Sequence, residues 1–273
     1  MIQTLADALE KRGYDTLTPV QQAVTDPALE NRDLLVSAQT GSGKTVAFGL
    51  TIAPTLLEGE DRLPFASAPL ALAIAPTREL AGQIAESARD YGAMAGLKVQ
   101  SIVGGTSVNK DRNKLHRGTD ILVATPGRLL DLIDQKAFNL GSVEILVLDE
   151  ADQMLDLGFI HALKRIVPML PKDRQTLLFS ATMPGSIKDL SKNYLTDPVH
   201  VSVTPAATTA ERVEQYLLMV QQDEKQSLLE MILSGRHETP GEMERVLVFA
   251  RTKHGCDRIV KKLGQAGITA NAI

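Results

Sequence analysis

Seven short aliphatic runs, separated by helix-like stretches, constrain this chain more than any other feature. They read LLVSA (34–38), LALAIAP (70–76), VQSIVG (99–104), DILVAT (120–125), EILVLD (144–149), TLLFSA (176–181) and VHVSV (199–203). Most are apolar at successive positions rather than at alternate ones, the pattern of strands covered on both faces. Between them lie segments of helical pattern such as TVAFGLTIAPTLLE (45–58) and TRELAGQIAESARDYGAMAG (77–96). Strand and helix patterns in alternation imply βαβ units: an α/β fold, with a parallel sheet and helices on both faces.

The alternation breaks at TPAATTAERVEQ (204–215), which has no apolar periodicity and reads as a linker. The predicted organisation is therefore a first lobe over residues 1–204, a linker over 205–212 and a partial second lobe over 213–273. In the latter, strands are expected at 213–220, 245–250 and 268–273, with helices at 223–233 and 253–267. Some 60 residues is close to the lower limit for an independent core.

Composition narrows the function classes. Apolar residues make up 44% of the 273, enough for a sizeable core. The single cysteine, Cys256, leaves no intramolecular disulfide and no Cys-rich zinc site. No apolar run is long enough to span a bilayer and no signal peptide opens the sequence, so a soluble, cytoplasmic protein is expected. At a net charge of −4, any nucleic acid must be gripped by a few local groups rather than by bulk electrostatics.

The first strand runs into AQTGSGKT (38–45) and then into a helix. A Gly-rich turn in that position lets backbone N–H groups converge on phosphate oxygens, and the helix N-terminus adds its dipole. Lys44 is placed to reach β- and γ-phosphates and the Thr45 hydroxyl to ligate Mg²⁺. GK[ST] alone would arise by chance in roughly one chain in seven of this length. Its setting between strand and helix, with two further glycines, carries the inference, although Ala38 stands where the general motif has Gly.

The strand EILVLD then ends in Asp149, Glu150 and Asp152. Beside a bound triphosphate, an acid at a neighbouring strand end holds Mg²⁺, the task assigned to Asp149. Glu150 would orient or deprotonate the attacking water.

With these residues in place, the chain resembles the DEAD-box RNA helicases of superfamily 2, in texture a bacterial, RhlE-like member. GYDTLTPVQ (13–21) is similar to the family's Q motif, and the resemblance puts Tyr14 at the nucleotide and the Gln21 amide on the adenine edge. AQTGSGKT is the family's own form of the phosphate loop, Ala38 included; it implies ATP contacts from Gln39, Thr40, Gly41, Ser42 and Gly43 as well as Lys44 and Thr45. PTREL (76–80), Gly104–Gly105 and TPGR (125–128) resemble its RNA-contacting motifs, which assigns RNA to Pro76, Thr77, Arg78, Gly104, Gly105, Thr125, Pro126, Gly127 and Arg128. The two arginines are either phosphate clamps or ordinary solvated helix-start residues. DEAD (149–152) is the name-giving motif, and SAT (180–182) its coupling motif, with the Ser180 and Thr182 hydroxyls expected to bond Asp152. VFARTK (248–253) resembles the start of the second lobe's motifs. The resemblance implies two RecA-like lobes, ATP and Mg²⁺ as cofactors, and RNA gripped by its backbone without sequence specificity. RNA-stimulated hydrolysis would drive local duplex separation.

Two departures qualify it. The aromatic residue that family members carry upstream of the Q motif is missing, which implies weaker adenine selectivity. Nothing after Arg251 resembles the later motifs with their arginine fingers, which implies a truncated chain of weak turnover. Two further readings remain: a nucleotide- and RNA-binding lobe without turnover of its own, and a different P-loop enzyme such as a DNA translocase.

Overall fold

The computed structural model describes residues 16–39, 41–57, 68–92, 96–203, 214, 216–235 and 245–272. Tyr14, Thr40 and the predicted linker over 205–212 lie outside them. The chain divides into two compact units, Met1–Ala207 and Thr208–Ile273.

In the first unit all seven predicted strands are present: β1 (Leu34–Ser37), β2 (Ala71–Ile74), β3 (Val99–Ile102), β4 (Ile121–Ala124), β5 (Ile145–Leu148), β6 (Gln175–Ser180) and β7 (Val199–Ser202). They form one sheet in the order β3-β4-β2-β5-β6-β1-β7, every pair parallel. Among the described residues, eight α-helices connect or flank them: α1 (Pro19–Val24), α2 (Lys44–Leu57), α3 (Arg78–Gly92), α4 (Val108–His116), α5 (Pro126–Asp134), α6 (Ala151–Asp156), α7 (Ile160–Ile166) and α8 (Gly185–Tyr194).

The continuous apolar runs are explained by two cores, one on each face of the sheet. Leu34, Val36, Ala73, Val123, Val147 and Phe179 point to one side, where Val20 and Val24 of α1, Phe48 and Ile52 of α2 and Ile84 of α3 cover them. Their neighbours Leu35, Leu72, Leu122, Leu146 and Leu178 point to the other, under Leu115, Leu129, Met154, Leu163 and Ile187 from α4 to α8. Successive strand side chains alternate between faces, so burying both demands apolar residues throughout. Phe48 meets Phe179 edge-on, with ring centroids 5.7 Å apart, fixing α2 to the strand beside its own phosphate loop. Such a pair adds about 1 kcal/mol beyond burial.

The second unit corrects the sequence reading in part. Its two helices form as expected, α9 (Lys225–Leu233) and α10 (Lys253–Gln265), the latter capped by Thr252, whose side chain accepts from the Gly255 N–H at 3.1 Å. None of the three expected strands is present among the described residues of 213–220, 245–250 and 268–273. Leu217, Met219 and Phe249 are almost fully exposed. An apolar run has strand propensity, but a strand exists through its ladder. No ladder pairs these segments with one another among the described residues, and propensity without a partner does not make a strand.

Candidate functional site

Because every strand of the sheet is parallel, all the loops that follow strands emerge at one edge. In open α/β sheets that carboxyl edge is where ligands bind. Sheet order then sorts the predicted residues into two groups. β1, β5 and β6 are adjacent, and their ends carry the phosphate loop, the acids and Ser180–Thr182. β3, β4 and β2 form the other half, and their ends carry Gly104–Gly105, Thr125–Arg128 and Pro76–Arg78. The groups meet where β2 pairs with β5.

In the first group, Gly41 and Gly43 have φ of +82° and +89°, the left-handed region that favours glycine. Lys44 opens α2 and is buried. Its Nζ lies 3.7 Å from Asp149 Oδ1 and 3.9 Å from Glu150 Oε1, with no hydrogen bond among the described residues. A buried ammonium with unused donors is fitted to an anionic ligand. Asp149 is 1% exposed, and its carboxyl is pushed up to about 6. Burial is the main cause, with Glu150 adding to it, while Lys44 and the Glu150 N–H, which donates to Asp149 Oδ1 at 3.0 Å, oppose it. Glu150 itself sits in the left-handed region at φ 53°, a conformation costing about 1–3 kcal/mol in a non-glycine residue and concentrated at functional sites. Thr45 follows in the first turn of α2.

Gln21 is buried, and its amide ties two elements together. Oε1 accepts from the Thr18 N–H at 2.9 Å, closing the start of α1, and Nε2 donates to the Gly43 carbonyl at 3.2 Å. One N–H and one lone pair are left for a further partner. A Cβ at Gly43 would stand 2.5 Å from Nε2, so glycine is required there by contact as well as by φ. Gln39 completes the loop by accepting from the Ser42 N–H at 3.3 Å.

The SAT segment is half as predicted. Asp152 Oδ2 accepts from both the Thr182 N–H (2.9 Å) and the Thr182 hydroxyl (2.8 Å). Ser180 does not join them: fully buried at the end of β6, its hydroxyl donates to the Thr182 carbonyl at 2.7 Å. It shapes the turn that presents Thr182.

In the second group, Pro76, Thr77, Arg78, Gly104, Thr125, Gly127 and Arg128 line one open pocket of about 510 Å³, together with Glu79, Asp131 and Phe159. Pro126 lies beneath it as the first residue of α5, and the Gly104 N–H donates to the Thr125 hydroxyl at 3.3 Å. Arg78 is exposed, with its guanidinium against Gly105: a Cβ there would lie 2.5 Å from Nη1. Arg128 is not a freely solvated residue: its side chain is 9% exposed and turned inward onto Asp111 and Thr106. Sequence reasoning missed Asp111 and Thr106. The available signal was an acid on the apolar stripe of α4, between Val108 and Leu115.

The family profile described as DEAD/DEAH box helicase matches residues 18–190, the stretch that carries both groups. The chain belongs to this family. Over 97% of its length it is 41% identical to the DEAD-box ATP-dependent RNA helicase CshA of Streptococcus pneumoniae, of which it spans 48%. It is 38% identical, over 98% of its length, to the ATP-dependent RNA helicase RhlB of Vibrio atlanticus, spanning 61% of that protein. Its fold is similar to the crystal structure of a hypothetical ATP-dependent RNA helicase from Sulfolobus tokodaii. That match has 35% identity and a TM-score of 0.66, over 74% of this chain and 57% of that one. The chain thus spans about half the length of the curated relatives it matches, and its first unit is the RecA-like fold that the resemblance implied.

Proposed function

We propose that this DEAD-box chain binds Mg²⁺·ATP at the ends of β1, β5 and β6 and the RNA backbone at the ends of β2, β3 and β4. In the whole protein, RNA-stimulated hydrolysis would drive local unwinding of RNA duplexes. The observation that carries the reading is the buried Lys44 ammonium, 3.7 Å from Asp149 and 3.9 Å from Glu150, at a strand edge whose other half gathers the RNA motifs. The sheet order supports coupling, since the two groups adjoin at β2 and β5.

Each residue then has a task in the chemistry. Lys44 and the loop N–H groups hold the phosphates. The Gln21 amide offers its spare donor and acceptor to adenine while gripping the loop at Gly43. Asp149, with the Thr45 hydroxyl, provides the oxygen ligands for Mg²⁺, a hard cation that keeps waters and substrate phosphates in its shell. Held by Asp149 and the Thr45 hydroxyl, Mg²⁺ would supply charge neutralisation for the transferring phosphoryl group. Glu150, poised by its left-handed backbone, positions the attacking water. Asp152 and Thr182 tie the acid loop to the end of β6. RNA is held without sequence specificity, through groups that reach phosphates rather than base edges. The boundaries 1–204, 205–212 and 213–273 and a cytoplasmic location are proposed on the sequence alone.

A second reading, a nucleotide- and RNA-binding lobe without turnover of its own, is favoured for these residues by one observation. The three nucleotide-site segments AQTGSGKT, DEAD and SAT bring a single cation, Lys44, to the phosphates and no arginine. ATP turnover, with and without single-stranded RNA, decides between the readings. RNA stimulation that Glu150→Gln abolishes while nucleotide still binds supports the helicase reading. Binding with negligible, RNA-insensitive turnover supports the second. Tighter binding to single-stranded DNA than to RNA would overturn both in favour of a translocase.

A further inference from the structure

Asp111 lies in the first turn of α4, fully buried, seventeen positions before the arginine it meets. Its Oδ2 accepts from Arg128 Nη1 and from the Thr106 hydroxyl, the latter at 2.9 Å. Lys114 Nζ stands 3.7 Å from its other oxygen. Arg128 is engaged through both of its terminal nitrogens. Nη1 also donates to the Thr106 hydroxyl at 3.1 Å, Nη2 to the Thr106 carbonyl at 2.8 Å, and Nε is 3.7 Å from the Asp131 carboxylate. Turning this guanidinium outward onto a phosphate would withdraw it from a fully buried carboxylate. Leaving a buried charge unpaired costs several kcal/mol, more than a surface phosphate contact returns.

We propose that Asp111 and Arg128 form a buried brace for the Gly104–Thr106 loop, so that Arg128 serves RNA binding by positioning the exposed Arg78 rather than by touching a phosphate. The link between them is contact: the brace fixes Thr106, Thr106 is bonded to Gly105, and the Arg78 guanidinium rests on Gly105. Arg78, exposed and without a hydrogen bond or ion pair among the described residues, is the group left to meet phosphate. Both Arg128 and Asp111 are then positioning residues. This inference rests on the RNA-binding reading above.

The salt dependence of RNA affinity separates the two roles. Each phosphate contact to a single strand contributes about 0.7 to the slope of log K against log salt, whereas a positioning residue contributes none. Fluorescence anisotropy with a labelled oligo(U) RNA, over a range of KCl concentrations, is the measurement. Arg78→Ala is expected to weaken binding and flatten the slope by about 0.7. Asp111→Asn and Arg128→Met are each expected to weaken binding on the order of tenfold with the slope unchanged. The double variant should be no weaker than the worse single one, because both remove the same brace.

Arg128→Lys guards against the case in which the larger changes unfold the chain. It keeps the charge but loses the fork that spans Asp111 and Thr106. The brace predicts weakened binding with an unchanged slope, while a phosphate ligand would keep nearly full affinity. Mg²⁺·ADP affinity, read at the other half of the sheet, should not move in any of these variants, as it would if the fold were merely loosened. A flattened slope in Arg128→Met, or tighter RNA binding in Asp111→Asn as the arginine is released, would overturn the proposal. If the unaltered chain bound no RNA, the functional reading itself would fall and this inference with it.

Discussion

Replacing Lys44 by Met isolates the electrostatics of the nucleotide site. Asp149 is held at about 6 against an ordinary 3.8, chiefly by burial, with Lys44 3.7 Å away as the first opposing influence. At about 1.4 kcal/mol per tenfold in proton affinity, keeping this carboxylate ionised costs the folded state about 3 kcal/mol at neutral pH. The sign follows from a raised folded value. This residue's contribution to stability is most favourable below about pH 4 and is lost as pH rises through about 6. Without Lys44 the carboxyl moves higher and stays protonated in the folded state at neutral pH. The cost is then that of protonation, about 5 kcal/mol at about pH 7.5, so the substitution adds at most about 2 kcal/mol through Asp149.

The assay is urea unfolding followed by circular dichroism between about pH 5 and about pH 8, for the unaltered chain, Lys44→Met and Asp149→Asn. The stability difference between the unaltered chain and Asp149→Asn should level off above about pH 7. In Lys44→Met the difference from Asp149→Asn should keep growing through about pH 8, by about 1.4 kcal/mol per pH unit. Coincident profiles for Lys44→Met and the unaltered chain would refute the reasoning, since Lys44 would then not be holding Asp149 ionised.

Three further outcomes are expected. Mg²⁺·nucleotide affinity should weaken as pH falls below about 6, where Asp149 protonates, and Asp149→Asn should retain only the nucleotide's own titration; calorimetry across that range checks it. Gly105→Ala imposes a side chain at φ +79° and 2.5 Å from Arg78 Nη1, so RNA affinity should fall while nucleotide affinity, measured with a fluorescent ADP, stays unchanged. Asp152→Ala removes the acceptor of two Thr182 hydrogen bonds; it should cost about 1–3 kcal/mol of stability in urea unfolding and lower the RNA stimulation of hydrolysis more than nucleotide affinity.

What could be read from the sequence was what a single segment determines. LLVSA, EILVLD and their companions are apolar throughout because both faces are covered, so the runs alone announced the sheet. The phosphate loop and the acids were legible because backbone geometry and charge place them at strand ends. Pairing was not legible in the same way. VEQYLLMV and RVLVFA look as strand-like as β5, yet no ladder forms on them among the described residues, because a ladder needs a neighbour that the segment does not contain. Arg128 was hidden for a related reason. Its direction depends on Asp111 in another helix and on Thr106 in the loop between, a contact that exists only once β3 and β4 lie side by side. Ser180 was misplaced for want of one turn's geometry, which sends its hydroxyl to the Thr182 carbonyl instead of to Asp152.

The central claim is that the two halves of one sheet edge hold different ligands, nucleotide at β1, β5 and β6 and RNA at β2, β3 and β4. Titration calorimetry of Mg²⁺·ADP into the unaltered chain, Lys44→Met and Arg78→Ala tests it most directly. The account predicts binding by the unaltered chain, none by Lys44→Met, and unchanged affinity in Arg78→Ala. Binding that survives in Lys44→Met, or is lost in Arg78→Ala, would contradict it.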